Sequence, residues 1–260
     1  MEPRGQTEFF YQIFDASLPR LGVGNEASTK RALDTVLPAI SPRGGDPAHP
    51  LRILDIGCGN GAGTICVARH VNGSILAVDN RQAFLDELQR RAAKAGVSGK
   101  IQVSLRDMRT LAKEEGPFDL IWSEGAIFIV GFRAGLAAWH SLLAPGGGLA
   151  VSELAWLKSD PPAECREFFS SVYPAMTDVA TNLATIAACG YEVVGHFAQP
   201  ESAWWEPLYH PLEERLRVLR GQHAADAEKL SMIESIQMEI DVYRKYSAYY
   251  GNVFYLMRRR

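Results

Sequence analysis

A doubly wound α/β fold on a mostly parallel sheet is what this sequence predicts from residue 51 onward, and three observations carry it. Short apolar runs of strand length alternate with stretches of helical period. The first run ends in a glycine-rich turn, "DIGCGNGAGT" (55–64), that opens directly into a helical stretch. Two later runs, at 74–79 and 117–125, end in or beside an acid, Asp79 and Glu124.

In chain order, "LRILDIG" (51–57) reads as a short buried strand and "AGTICVARHV" (62–71) as a helix. "SILAVD" (74–79) is a second strand, "RQAFLDELQRRAAKAG" (81–96) an amphipathic helix, and "KIQVSLRD" (100–107) a third strand. "PFDLIWSEG" (117–125) is the fourth strand, a helix follows around 131–143, and "GGGLAVSELAW" (146–156) is the fifth. "ACGYEVVGHFAQP" (188–200) holds another strand after a helix, and the aromatic "YYGNVFYLMRR" (249–259) a last one. Between those two, residues 210–246 read as one or two amphipathic helices, a cap or a dimerisation arm. Right-handed crossovers place the strands' C-terminal ends on one rim, where ligands of such sheets bind.

The bounds agree with a globular chain. Its 260 residues carry 47% apolar side chains and a net charge of −3 with both signs mixed, so no basic stripe for nucleic acid is present. The run Arg258-Arg259-Arg260 is expected to be a solvated tail. "MEPRGQTEFFYQIF" lacks the apolar core of a signal peptide, and no window reaches a membrane span, so a cytoplasmic location is expected. Cys58, Cys66, Cys165 and Cys189 form no CxxC pair and are expected to be reduced thiols. His70, His140 and His196 are expected to end or line elements, and no metal site is expected. A Pro/Gly-rich loop, "SPRGGDPAHP" (41–50), separates an N-terminal helical arm from the rest.

The turn's ligand can be narrowed. A triphosphate loop needs Lys-Ser/Thr after its last glycine, and "GNGAGT" has no lysine. Gly57, Gly59 and Ala62, with Asp79 about 20 residues on, satisfy a loose dinucleotide pattern. Asp55 shifts the balance, because a carboxylate beside the turn would repel a pyrophosphate and suit a ligand with an ammonium and a sulfonium.

"ILDIGCGNGAGT", "LAVDN", "LRDM", "FDLIWSEGAI" and "LLAPGGGLAVSE", in that order, resemble the successive motifs of class I S-adenosylmethionine-dependent methyltransferases, and more narrowly their small-molecule, type 11-like branch. The resemblance implies a Rossmann-like, seven-stranded sheet with its last strand antiparallel, and S-adenosyl-L-methionine as cofactor. It implies that Gly57 and Gly59, with Asp55, Cys58 and Gly61 in the same turn, let the backbone approach the methionine portion. Asp79 would accept from the ribose hydroxyls, Asn80 would flank the adenosine, and Asp107 would accept from the adenine amino group. Met108 would offer its amide, Phe84 an apolar wall, and Glu124 with Gly125 would lie beside the sulfonium. It further implies one methyltransferase domain over 1–260: an arm or lid (1–45), a cofactor-binding core (51–200), a helical cap (201–247) and a final strand (248–260).

The fourth strand is followed by "WSEGAI" rather than Asn/Asp-Pro-Pro-Tyr/Phe, which lowers nucleobase and protein-amide acceptors and leaves a small molecule, an amine among the candidates. Glu124 and Glu153, at the ends of adjacent strands, are the candidate bases. Tyr11, Trp156, His196, Trp204, Trp205 and Tyr209 are the candidate acceptor contacts, Tyr11 and the three tryptophans through cation–π interaction and His196 and Tyr209 from behind the bases. No nucleic-acid or membrane partner is expected, and a homodimer is the candidate assembly. The alternatives are a non-catalytic S-adenosylmethionine-binding protein and a nicotinamide-dependent oxidoreductase.

Overall fold

The computed structural model describes residues 4–40, 49–112 and 115–260, so most of the 41–50 loop lies outside the described residues. The apolar runs become β1 (Leu51–Ile56), β2 (Gly73–Asp79), β3 (Ile101–Leu105), β4 (Phe118–Ser123), β5 (Leu143–Trp156), β6 (Thr177–Asp178), β7 (Tyr191–Ala198) and β8 (Tyr250–Arg259). The helices are α1 (Arg4–Ile13), α2 (Glu26–Val36), α3 (Ala62–His70), α4 (Gln82–Lys94), α5 (Phe132–His140), α6 (Ala163–Val172), α7 (Val179–Ala188), α8 (Ser202–Trp204), α9 (His210–Gln222) and α10 (Ala227–Tyr246). The sheet runs β3-β2-β1-β4-β5-β8-β7, with the two-residue β6 beside β5 as an eighth strand. β1 to β5 pair in parallel, and β8 enters antiparallel between β5 and β7. That is the doubly wound sheet with an antiparallel last strand that the sequence implies.

Both faces are covered. Ala32, Leu33 and Val36 of α2 and Val67 and Ala68 of α3 pack with Ile53, Leu120 and Trp122 on one face. Leu136 and Trp139 of α5 pack with Leu54, Ile121 and Tyr255 on the other. Each fully buried side chain of this size contributes roughly 1.5–3 kcal/mol, and β1 and β4 carry such side chains on both faces. Asn25 starts α2 by accepting the Ser28 amide proton at 2.8 Å, which fixes where the arm enters the fold.

A third core joins the two segments outside the sheet. Phe9 and Ile13 of α1 bury against Leu212, Leu216, Ile240 and Tyr243 of α9 and α10. So α1 packs on the inserted helices and not on the sheet. The chain after α1 is tied to the sheet layer instead: Arg91 donates to the carbonyls of Ala16, Leu18 and Pro19, and Asn60 donates to those of Ala16 and Leu18.

One local reading differs. The basic run is no solvated tail: Arg258 and Arg259 continue β8, where Arg258 meets Glu192 at 2.5 Å and Arg259 donates to the Leu143 carbonyl. Strand pairing with β5 and β7 outweighs the charge pattern there. The helical stretch at 210–246 is two helices, divided where Asp226 accepts the Lys229 amide proton and begins α10. Among the described residues no helix is long and apolar enough to cross a membrane, and no acid, His and Cys group could hold a metal.

Candidate active site

The turn after β1 is fixed first by backbone. The amides of Gly57 and Cys58 both donate to the Val78 carbonyl, at 2.9 and 3.1 Å, which folds the turn over the end of β2. Gly57, Gly59 and Gly61 have φ of +72°, +52° and +83°, a region that disfavours a Cβ. At Gly57 a Cβ would also stand 2.4 Å from Ala126 Cβ, so the turn and the segment after β4 touch without side-chain thickness between them.

Four acids surround this turn. Asp55, at the end of β1, is buried and accepts from Thr64 Oγ1 at 2.6 Å. Burial pushes its carboxyl up to about 7; the Thr64 bond opposes the rise, and the charges of Glu124 and Asp79 add to it. Asp79 accepts the amide protons of Gly59 at 2.9 Å and Arg81 at 3.0 Å, yet burial still raises it above the usual carboxylate range. Those bonds leave lone pairs free on both oxygens. Asp107 accepts the Arg109 amide proton at 2.8 Å, and that bond above all holds it below its usual range, since the side chain is well exposed.

Glu124 is fully engaged. Its Oε1 pairs with Arg20 Nη1 at 2.7 Å, Thr29 Oγ1 donates to Oε2 at 3.1 Å, and Trp122 Nε1 donates to Oε2 at 3.4 Å. Gly24 must stay glycine beneath this pair, because a Cβ there would stand 2.1 Å from Glu124 Oε1. Glu153, on β5, is different. It is buried, its Oε1 accepts only the Leu154 amide proton at 2.8 Å, and its Oε2 has no hydrogen-bond partner. Burial pushes its carboxyl up to about 7; the Leu154 amide bond, and after it the nearby Tyr173 hydroxyl, oppose that rise.

One cavity of about 760 Å³ runs from the glycine turn to the inserted helices, a size that holds a drug-sized ligand with room beside it. Asp55, Gly57, Cys58, Gly59, Asp79, Asn80, Phe84, Asp107, Met108, Glu124, Gly125 and Glu153 line it, as do Tyr11, Trp204 and Tyr209. Tyr11 sits at the Asp79 end of the cavity: its ring meets Phe84 at 5.8 Å, and the Arg81 guanidinium covers it at 3.5 Å.

Gly61, Trp156, His196 and Trp205 are not on the wall. Gly61 is turned onto Leu88, where it begins α3. Trp156 packs on Phe169 and Tyr250 in the cap core. His196 is an exposed residue of β7, the edge strand, because the pleat sends Phe197 inward instead. Trp205 lies against Tyr209 and His210, with the Arg244 guanidinium at 5.0 Å.

Arg20, Tyr173, Glu239 and Tyr250 also line the cavity and were not among the expected site residues. Glu239 had a readable signal. Met232, Ile236, Tyr243 and Tyr246 follow a 4-3-4-3 spacing through position 239, so the acid stands in the apolar stripe of α10. Arg20 had only a basic residue in an apolar stretch, "SLPRLGVG", which does not name a partner.

A family model described as "Methyltransferase domain" matches residues 53–147. The chain is 26% identical over 230 residues to 27-O-demethylrifamycin SV methyltransferase of Amycolatopsis mediterranei, covering 84% of this chain and 78% of that one. It is 35% identical over 106 residues to trans-aconitate 2-methyltransferase of Streptomyces avermitilis, covering 40% of this chain and 39% of that one. In fold it is similar to a SAM-dependent methyltransferase from Geobacter sulfurreducens solved with S-adenosyl-L-homocysteine, at a TM-score of 0.77, 19% identity and coverage of 97% and 98%. Residues 53–147 thus form a methyltransferase domain, and the whole chain shares its fold with a solved S-adenosylmethionine-dependent methyltransferase.

Proposed function

We propose that the protein methylates a small-molecule acceptor, first among the candidates an amine, with the cofactor in the glycine-turn half of the cavity and the acceptor in the half under the inserted helices. The observation that carries this reading is the continuity of the one cavity from the turn to Glu153 and the cap.

The fit of the cofactor half rests on three features. The positive-φ glycines bring bare backbone to the wall. Asp79 keeps unused acceptor capacity at the end of β2, and Asp107 and Met108 stand at the end of the third strand beside Phe84 and Tyr11. Asp55 stands at the methionine end with no side-chain cation paired to it among the described residues, so a cationic ligand would favour its charged form, whereas the charge of Glu124 there is met by Arg20. Because Arg20, Thr29 and Trp122 already occupy both oxygens of Glu124, its role is to set charge and shape there, not to move a proton.

When bound, the cofactor supplies an electrophilic methyl on a sulfonium, open to in-line displacement. The chain's part is to align the acceptor opposite the sulfur, exclude water and take a proton. Glu153 is the group for the proton: Oε2 is free, and burial puts its carboxyl at about 7, matched to neutral pH. An ammonium that gives a proton to Oε2 becomes the neutral amine and presents its lone pair. Phe168, Phe169 and Trp204 wall out water on that side.

The test is incubation with S-adenosylmethionine and separate panels of amines, phenols, thiols and carboxylic acids, with S-adenosylhomocysteine release and product mass as readouts. An amine whose product is heavier by one CH₂ supports the reading. Product from the acid panel alone overturns the amine, and no product in any panel overturns small-molecule methyl transfer.

A further inference from the structure

Glu239 stands apart from the other acids of the cavity. It comes from α10, in the insertion between β7 and β8, whereas Asp55, Asp79, Glu124 and Glu153 come from strands or their ends. Its neighbours in the helix stripe, Ile236 and Tyr243, belong to the cap core, and a carboxylate among them bears a desolvation cost. The Tyr209 hydroxyl donates to Oε1 at 3.1 Å, but a neutral donor leaves the charge uncompensated. Burial accordingly pushes the Glu239 carboxyl above its usual range.

Three unpartnered polar atoms point to a ligand independently of that acid. Trp204 Nε1, Tyr250 Oη and Glu153 Oε2 each lack a hydrogen-bond partner, on residues 3%, 1% and 4% exposed, and all three residues line the same chamber. Each such group costs about 1–3 kcal/mol when left unpaired, and three of them sit on residues of this one wall.

Charge then sets the sign of that ligand. The basic side chains of the wall are already engaged: Arg20 with Glu124, Arg106 with Glu115 and Arg109 with Asp107. None of them stands under the cap. Glu153 and Glu239 do, and neither forms an ion pair among the described residues. Trp204, Tyr209 and Tyr250 add aromatic faces, which attract a cation. At the mouth, Phe128 and Val172 are 51% and 54% exposed, an apolar rim for the rest of the molecule.

We propose that Glu239 is a specificity-determining residue that recognises a positively charged nitrogen on the acceptor, so that the chamber takes amines with an apolar body and rejects carboxylates and phosphates. The inference rests on the reading of the cap-side chamber as the acceptor site. Glu239 draws the ammonium in; Glu153 takes its proton.

The experiment titrates benzylamine, benzyl alcohol and benzoate into the protein with S-adenosylhomocysteine bound, followed by saturation-transfer NMR, on the wild type and Glu239→Gln. The expected result is that benzylamine binds the wild type at least about tenfold more tightly than either other probe, a gap of about 1.4 kcal/mol. That preference is lost in the variant while affinity for S-adenosylhomocysteine is unchanged. Benzoate bound as tightly as benzylamine, or benzylamine bound equally by both proteins, overturns the assignment. Should Glu239→Gln lose S-adenosylhomocysteine affinity, Glu239→Met, an uncharged side chain of similar length that suits the apolar cap core, decides in its place by the same criterion. The titration needs no turnover, so its failure is separate from failure of the methylation panels.

Discussion

Arg20 and Glu124, 104 residues apart in the chain, form a 2.7 Å ion pair in which the side chains are 10% and 6% exposed. The pair joins the segment after α1 to the end of β4, and Thr29 of α2 closes it by donating to Glu124. The arm is therefore fastened to the wall of the cavity as well as to the cap.

Removing one partner of a buried pair leaves the other charge uncompensated, at about 3–5 kcal/mol. Arg20→Met is expected to lower Tm by at least about 6 °C, taking about 2–4 °C per kcal/mol for a chain of this size. The double variant with Glu124→Gln should recover much of that loss, because the orphaned charge is gone. Thermal melts of the three proteins check this, and a double variant no better than Arg20→Met would mean the arm is held by other contacts.

Gly57→Ala tests the contact between the turn and the segment after β4. The new Cβ would stand 2.4 Å from Ala126 Cβ and 3.2 Å from Met108 Cε, at a φ of +72°. Strain of this kind costs of order 1–3 kcal/mol, and it displaces the Asp107–Met108 wall. Weaker S-adenosylhomocysteine binding, by tenfold or more in a calorimetric titration, is expected; Gly96→Ala, a positive-φ glycine with nothing within 4 Å, should leave that affinity unchanged.

Asp79→Ala removes the acceptor at the end of β2 and frees the amides of Gly59 and Arg81. A hydrogen bond to a charged group contributes about 1.5–3 kcal/mol, so loss of affinity for S-adenosylmethionine and S-adenosylhomocysteine by about 10- to 100-fold is expected by calorimetry. Retention of wild-type affinity would remove Asp79 from the cofactor site.

Most of the sheet, the turn and its acids were legible because their signals are local. Strand-length runs and glycines at fixed offsets identify β1 to β5, and Asp79 is placed simply by ending a strand. The cap side of the cavity was not, because its geometry is tertiary. Nothing local separates Trp204, which lines the chamber, from Trp205, which turns to His210; the π-type turn over Trp205–Tyr209 decides it. His196 and Phe197 are adjacent in sequence, and only the register of β7 against β8 says which faces inward. Arg20 and Glu124 meet across 104 residues, a distance no spacing rule spans.

Glu153 carries the prediction that separates a proton acceptor from a packing residue. Its carboxyl, at about 7, must be ionised to take a proton, so kcat should rise with pH through about 7 and then level. Glu153→Gln should lower kcat by at least about 100-fold and abolish that limb. Stability moves the other way. A carboxyl whose folded value lies above its ordinary 4.5 holds its proton longer in the folded chain, so its contribution is fully present below about 4.5 and is lost as pH rises through about 7. The neutral Gln is then more stable than wild type at pH 8, by of order 1–3 kcal/mol, with little difference at pH 5. Asp55 is pushed in the same direction in both proteins, so the comparison isolates Glu153. Melts at the two pH values, beside the kcat profile, give the answer: a variant that is slower and also more stable at pH 8 marks a carboxylate kept for the reaction, and one that is slower and less stable at both pH values marks a residue that only packs.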